Sequence, residues 1–139
     1  MKDQVVRVAK KLDIQVIMVV DDTHIIEDGY SSVITVEKGK DSADIKLINI
    51  ADRYDIVVTQ DYGVATMALA KNAYAINQNG MIYDDKNIEQ LLMERHFSQK
   101  ARRAGERTKG PKKRSKEQDL IFESKFMTLC SEIIQQKRD

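Results

Sequence analysis

"DSADIKLINIADRYDIVVTQD", residues 41–61, is the stretch on which the reading of the fold turns. Ala43, Leu47, Ile50, Ala51 and Tyr54 recur at helical spacing and predict one apolar face, with Asp41 or Ser42 as a natural N-cap. "DIVVTQ", 55–60, then reads as a short buried strand closed by Asp61. The unit therefore carries Asp41 and Asp44 at the start of a helix and Asp61 at the end of the following strand.

The flanking sequence repeats this alternation. Upstream, Val5, Val8, Ala9 and Leu12 predict a helix, "QVIMVV" a buried strand, "DDTHIIEDGYSS" a turn region and "VITVE", 33–37, a second, more peripheral strand. Downstream, a helix is predicted from Tyr62 to Lys71, then short strands in "AYAI" and "MIY" around the turn "NQNG". Asp84 or Asp85 caps a helix through "NIEQLLMER", and Phe122, Phe126, Leu129, Cys130 and Ile133 stripe a last helix at about 116–136. Strands alternating with helices predict one α/β domain over 1–139, a mainly parallel sheet flanked by helices.

Composition sets the bounds. The chain has 139 residues, 42 % of them hydrophobic, enough for one core. Its apolar runs are strand-sized, as in "VIMVV", against the roughly 20 residues a membrane helix needs. "MKDQVVRVAKK" has no uninterrupted apolar segment of the secretory kind, so the expected location is the cytoplasm, with no membrane partner. Cys130 is the only cysteine, and with His24 and His96 it gives neither a disulfide nor zinc-ligand spacing. It reads as helix packing.

Residues 98–118, "SQKARRAGERTKGPKKRSKEQ", hold nine Lys or Arg against Glu106 and Glu117, in a chain of net charge +1. With Gly105, Gly110 and Pro111, the only proline, the stretch reads as a shaped basic loop or linker. Arg102, Arg103, Arg107, Lys109, Lys112, Lys113 and Arg114 are its candidate phosphate contacts. RNA held through its backbone, without sequence preference and with strong salt dependence, is the expected partner; a merely solvated linker is the plainer reading.

Ligands of open α/β sheets lie beyond the carboxyl ends of the strands. A right-handed crossover from "VITVE" to "DIVVT" brings Asp41, Asp44 and Asp61 to that edge. Neighbouring carboxylates repel unless solvent or a cation neutralises them, and oxygen-only donors suit Mg²⁺ or Mn²⁺. Metal-assisted phosphodiester hydrolysis is the chemistry such a set would serve. The competing explanation is local: Asp41 and Asp44 favour the helix dipole, and Asp61 caps the helix that starts at Tyr62.

"GKDSADIKLINIA", "DIVVTQDYGVATMALAKNA", "NQNGMIY", "NIEQLLMERHFSQKARRAGERTKGPKKRS" and "DLIFESKF" resemble, in this order and over essentially the whole chain, the bacterial YaiI/YqxD family of uncharacterised proteins. The most specific parts are "DSAD", "TQDYG" and the run of Arg102, Gly105, Gly110, Pro111 and Lys112. The family is similar to PIN-like nuclease domains, which hold Mg²⁺ or Mn²⁺ on acidic residues at the carboxyl edge of a parallel sheet and cut RNA. The resemblance implies that Asp44 and Asp61 match the two later catalytic acids, with Asp41 accessory. Members open with a strand and a D-A-D-A-C-P-V motif directly before the helix that here begins "MKDQVVRVAKK". A PIN-like sheet without that strand lacks its central member and first metal-binding aspartate, and the resemblance implies an incomplete sheet here. A ribonuclease and a non-catalytic nucleic-acid-binding or regulatory protein are the two functions expected.

Other residues carry weaker signals. His24 reads as solvated or locally hydrogen-bonded, His96 as a residue near the basic stretch without a role of its own, Asp21 and Asp22 as turn formers and the six methionines as core filler. Tyr62 and Tyr74 are rings able to stack on a base.

Overall fold

The structure is a computed structural model that describes residues 1–39, 42–103 and 115–138. Among the described residues, five helices and four strands follow in the order α1 (Lys2–Leu12), β1 (Ile17–Asp21), β2 (Ser32–Val36), α2 (Ser42–Ile50), β3 (Ile56–Val58), α3 (Tyr62–Ala70), β4 (Tyr74–Ile76), α4 (Asp85–Arg103) and α5 (Lys116–Arg138). Strand pairing is parallel, as the alternation predicted: β1 with β2, Val19 opposite Ile34, and β3 with β4, Val57 opposite Ala75. This is an α/β fold consistent with the PIN-like class.

The pairs form two separate two-stranded sheets and not one continuous sheet. Each of the four strands therefore has one unpaired edge among the named strands. The consequence for β1 departs from expectation. "QVIMVV" reads as a buried strand, yet no residue of β1 is buried; Ile17 is 43 % exposed and Met18, Val19 and Val20 are half-buried. A two-stranded pair has too little neighbouring surface to cover an apolar strand on both faces.

Burial concentrates elsewhere, in two clusters. Ile48 of α2, Val57 of β3, Ala65 and Ala68 of α3, Ala75 of β4, Tyr83 from the segment before α4, and Ile88 of α4 belong to the first. Alanines at 65 and 68 let α3 lie close against β4. The second joins α1 to α5, with Val8 and Ile76 against Phe122, Phe126, Leu129, Cys130 and Ile133, the whole predicted stripe. Phe122 and Phe126 stack at 5.4 Å. Cys130 is buried, and burial pushes its thiol up to about 11. Outside, Arg7 donates to both carboxylate oxygens of Glu123 at 3.1 Å, an exposed tie between α1 and α5 worth at most about 1 kcal/mol.

Several boundaries differ from the sequence reading. Tyr54 does not continue the face of α2; the helix ends at Ile50, and Tyr54 takes a left-handed φ of 70° and joins the second cluster instead. "MIY" supplies one antiparallel bridge, Ile76 to Ile82, and no strand. The turn before it is as predicted: Asn77 Oδ1 accepts from the N–H groups of Asn79 and Met81, and Gly80 sits at φ 87°, where a Cβ would press on Lys125. α4 runs to Arg103, so residues 98–103 of the basic stretch are helical, and Ser115 with Gln118 opens α5 by reciprocal hydrogen bonds. Residues 104–114 lie outside the described residues. Met67 and Met93 are each 54 % exposed and are not core filler. Among the described residues no helix is long and apolar enough to cross a membrane.

Candidate functional site

Asp61 follows β3 and ends the loop into α3. Its backbone is extended, φ −87° and ψ 119°, as an N-cap requires. Oδ1 accepts from the Val64 N–H at 3.0 Å, the Asp61 N–H donates to Thr59 Oγ1 at 3.0 Å, and the Asp61 carbonyl receives the Ala65 N–H at 3.0 Å. The capping role read from the sequence is therefore real, and it uses one carboxylate oxygen. Oδ2 has no hydrogen-bond partner among the described residues.

Tyr83 lies behind this loop. Only 2 % exposed, it donates its hydroxyl to the Thr59 carbonyl at 3.1 Å and meets the edge of Tyr62 at 6.2 Å and 65°. Burial first, then the charges of Tyr62 and Asp61, push the Tyr83 phenol up to about 12. It stays protonated and holds the Thr59 carbonyl in place.

In front of the loop is an open cleft of about 590 Å³ between the start of α3 and the middle of α4. Gln60, Asp61 and Tyr62 form one wall; Leu91, Glu94, Arg95, Ser98 and Gln99 form the other. The sequence reading missed Arg95 and Glu94, which lie far from Asp61 along the chain. The signal that finds them is helical spacing: Leu91, Arg95 and Ser98 follow the register of Ile88, the buried anchor of α4. α4 is started by Asp84, whose Oδ1 accepts from the Asn87 N–H at 2.7 Å while Asn87 Oδ1 accepts from the Asp84 N–H at 2.8 Å.

The other candidates fall as follows. Asp44 is half-buried in the first turn of α2, where its charge favours the helix dipole, and it does not line the Asp61 cleft. Asp41 lies outside the described residues. Arg102 and Arg103 are in the last turn of α4; Arg107, Lys109, Lys112, Lys113 and Arg114 lie outside the described residues. Among the described residues no three His, Cys, Asp or Glu side chains gather as a metal-holding group. Tyr62 is at the cleft, whereas Tyr74 donates its hydroxyl to Gln136 at 2.7 Å.

At the end of β1, Asp21 Oδ1 accepts from the Thr23 N–H at 3.0 Å and the Thr23 hydroxyl at 2.5 Å, and lies 2.8 Å from His24 Nδ1. These bonds, the Thr23 hydroxyl first and His24 second, hold the Asp21 carboxyl down at about 2. His24 is thus a locally hydrogen-bonded loop residue, as expected.

Comparison with known proteins adds the lineage. Residues 1–132 match the model of a family described as "Uncharacterized BCR, YaiI/YqxD family". A "UPF0178 protein" of Ruminiclostridium cellulolyticum is 59 % identical over 126 residues, covering 91 % of this chain and 82 % of that one. One from Alkaliphilus oremlandii is 53 % identical, covering 88 % and 79 %, and one from Natranaerobius thermophilus is 41 % identical, covering 99 % and 90 %. No solved structure matches. With the family model spanning nearly the whole chain and relatives this similar over most of their own length, the protein belongs to the YaiI/YqxD family.

Proposed function

We propose that this bacterial-family protein is a PIN-like, Mg²⁺- or Mn²⁺-dependent ribonuclease. One observation carries the reading: Asp61, at the carboxyl end of a parallel strand, commits Oδ1 to its helix cap and leaves Oδ2 free at the mouth of a polar cleft. A carboxylate oxygen left free suits a hard divalent ion. Mg²⁺ binds through one or two carboxylates and completes its shell with water and substrate phosphate; Asp61 would hold it at the cleft, and Asp44, which does not line that cleft, and Asp41 as accessory would be the further oxygen donors. When bound, the ion would supply Lewis-acid activation of the phosphodiester. The chain's own part is to fix the Asp61 carboxylate through Val64, to keep the loop rigid through Thr59 and Tyr83, and to hold RNA through Arg102, Arg103, Arg107, Lys109, Lys112, Lys113 and Arg114.

A second reading, a non-catalytic nucleic-acid-binding or regulatory protein, is favoured by the lack of a three-membered metal-holding group among the described residues. A cleavage assay separates the two. Fluorescent single-stranded RNA is incubated with Mn²⁺, with and without chelator. The nuclease reading expects chelator-sensitive cleavage that is abolished in Asp61→Asn. RNA binding without any chelator-sensitive cleavage would leave the binding reading.

A further inference from the structure

The cleft beside Asp61 has a chemical signature of its own. Arg95 lines it, is exposed, and makes no ion pair or side-chain hydrogen bond among the described residues. An unpaired guanidinium in a cleft is a ready site for a phosphate group, which it binds with two parallel N–H donors. Tyr62 lines the opposite wall, braced edge-on by Tyr83 at 6.2 Å, so its ring is held in a fixed plane. A braced ring is a platform for a base. Gln60, Ser98 and Gln99 add donors and acceptors that no other described residue uses.

Charge decides what kind of phosphate enters. Asp61 and Glu94 bring two negative charges to the cleft against one positive charge from Arg95. A free phosphate or a terminal phosphomonoester carries roughly 1.5 to 2 negative charges near pH 7 and is repelled by that balance more strongly than a singly charged diester. A phosphodiester within a strand carries a single charge and brings an uncharged base and sugar to the remaining polar surface. The volume, about 590 Å³, is that of a small-molecule site and not of a duplex groove.

We propose that this cleft is a subsite for one nucleotide of a single strand, with Arg95 on the internucleotide phosphate and Tyr62 stacked on the base. It rests on the reading that the Asp61 edge faces nucleic acid, and it deepens that reading by naming a substrate class, single-stranded RNA, and two binding residues outside the basic stretch. Arg95 and Tyr62 position the strand so that the phosphate passes the mouth of the cleft where Asp61 stands.

The test is binding, measured in chelator so that cleavage does not enter. Fluorescence anisotropy follows a six-nucleotide labelled oligouridylate at low salt, with the full chain. Arg95→Gln is expected to weaken binding about tenfold and to make the salt dependence shallower by roughly 0.7, the increment for one single-strand phosphate. Tyr62→Leu is expected to weaken it fivefold or more, as for removal of a base stack of about 1 kcal/mol or more, while Tyr62→Phe, which keeps the ring and its packing on Tyr83, binds as the parent does. Unlabelled uridylyl-uridine should displace the probe and inorganic phosphate at equal concentration should not. Parent-like binding by Arg95→Gln and Tyr62→Leu would overturn the proposal and leave the basic stretch as the RNA-binding element. Displacement by phosphate as effective as by the dinucleotide would overturn it in favour of a plain anion site, and absence of binding by the parent would overturn it outright. Binding that depends on Arg95 and Tyr62 in a protein that never cleaves RNA would uphold the subsite and sink the nuclease reading alone.

Discussion

The Asp61 carboxylate accepts the backbone N–H of Val64 at 3.0 Å through one oxygen, Oδ1. This hydrogen bond explains why an aspartate stands at this turn even without any ligand, and it separates the structural from the chemical value of the residue. Asparagine retains an oxygen at the capping position and loses the charge. Alanine loses both. Asp61→Asn should therefore melt within about 1 °C of the parent, whereas Asp61→Ala should be destabilised by about 1 kcal/mol, read by urea unfolding. Equal destabilisation in both variants would mean that charge, and not the cap, holds the start of α3.

The Asp21 turn predicts an acid response. The Thr23 hydroxyl, then His24 and the Thr23 N–H, lower the Asp21 carboxyl from 3.8 to about 2. For a carboxyl depressed on folding, the stabilisation is present above the unfolded value and is lost as pH falls through the folded one. Its window is thus about pH 4 to 2. Carboxyl-carbon NMR should find Asp21 titrating near 2 in the parent and clearly higher in Thr23→Val. An Asp21 midpoint unmoved by Thr23→Val would contradict the assignment of the hydroxyl as the main cause.

The basic stretch makes a separate prediction. Replacing Lys112, Lys113 and Arg114 by alanine should weaken RNA binding equally across sequences and flatten the salt dependence by roughly 0.7 for each phosphate the protein no longer neutralises. Melting should hardly move. Unchanged affinity at low salt would return the stretch to a solvated linker.

Much of this was legible in the sequence because local chemistry decides it. The stripe from Phe122 to Ile133 has one period and one solution, a helix buried on one face, and α5 buries those residues. Asp61 before Tyr62 reads as a cap because the helix needs one there. The misses share a different cause. Tyr54 falls at helical spacing after Ala51, but α2 stops at Ile50 and a left-handed residue turns the chain, which spacing cannot report. The half-burial of β1 depends on how many strands the sheet has, a property of pairing and not of the strand's own apolar run. Arg95 reaches the Asp61 cleft only because α4 packs on α3. By composition the basic stretch reads as a loop or linker from residue 98, yet α4 continues to Arg103, since Lys and Arg are good helix formers.

The central claim of the proposed function is that Asp61, with Asp44 as a further donor, holds a divalent ion, and titration calorimetry with Mn²⁺ tests it most directly. The account predicts saturable binding by the parent, weakened about tenfold or more in Asp61→Asn and in Asp44→Asn, with both variants melting as the parent does. Mn²⁺ binding equal in the parent and both variants, or none in the parent, would contradict it and leave Asp61 as a helix cap and Asp44 as a dipole charge.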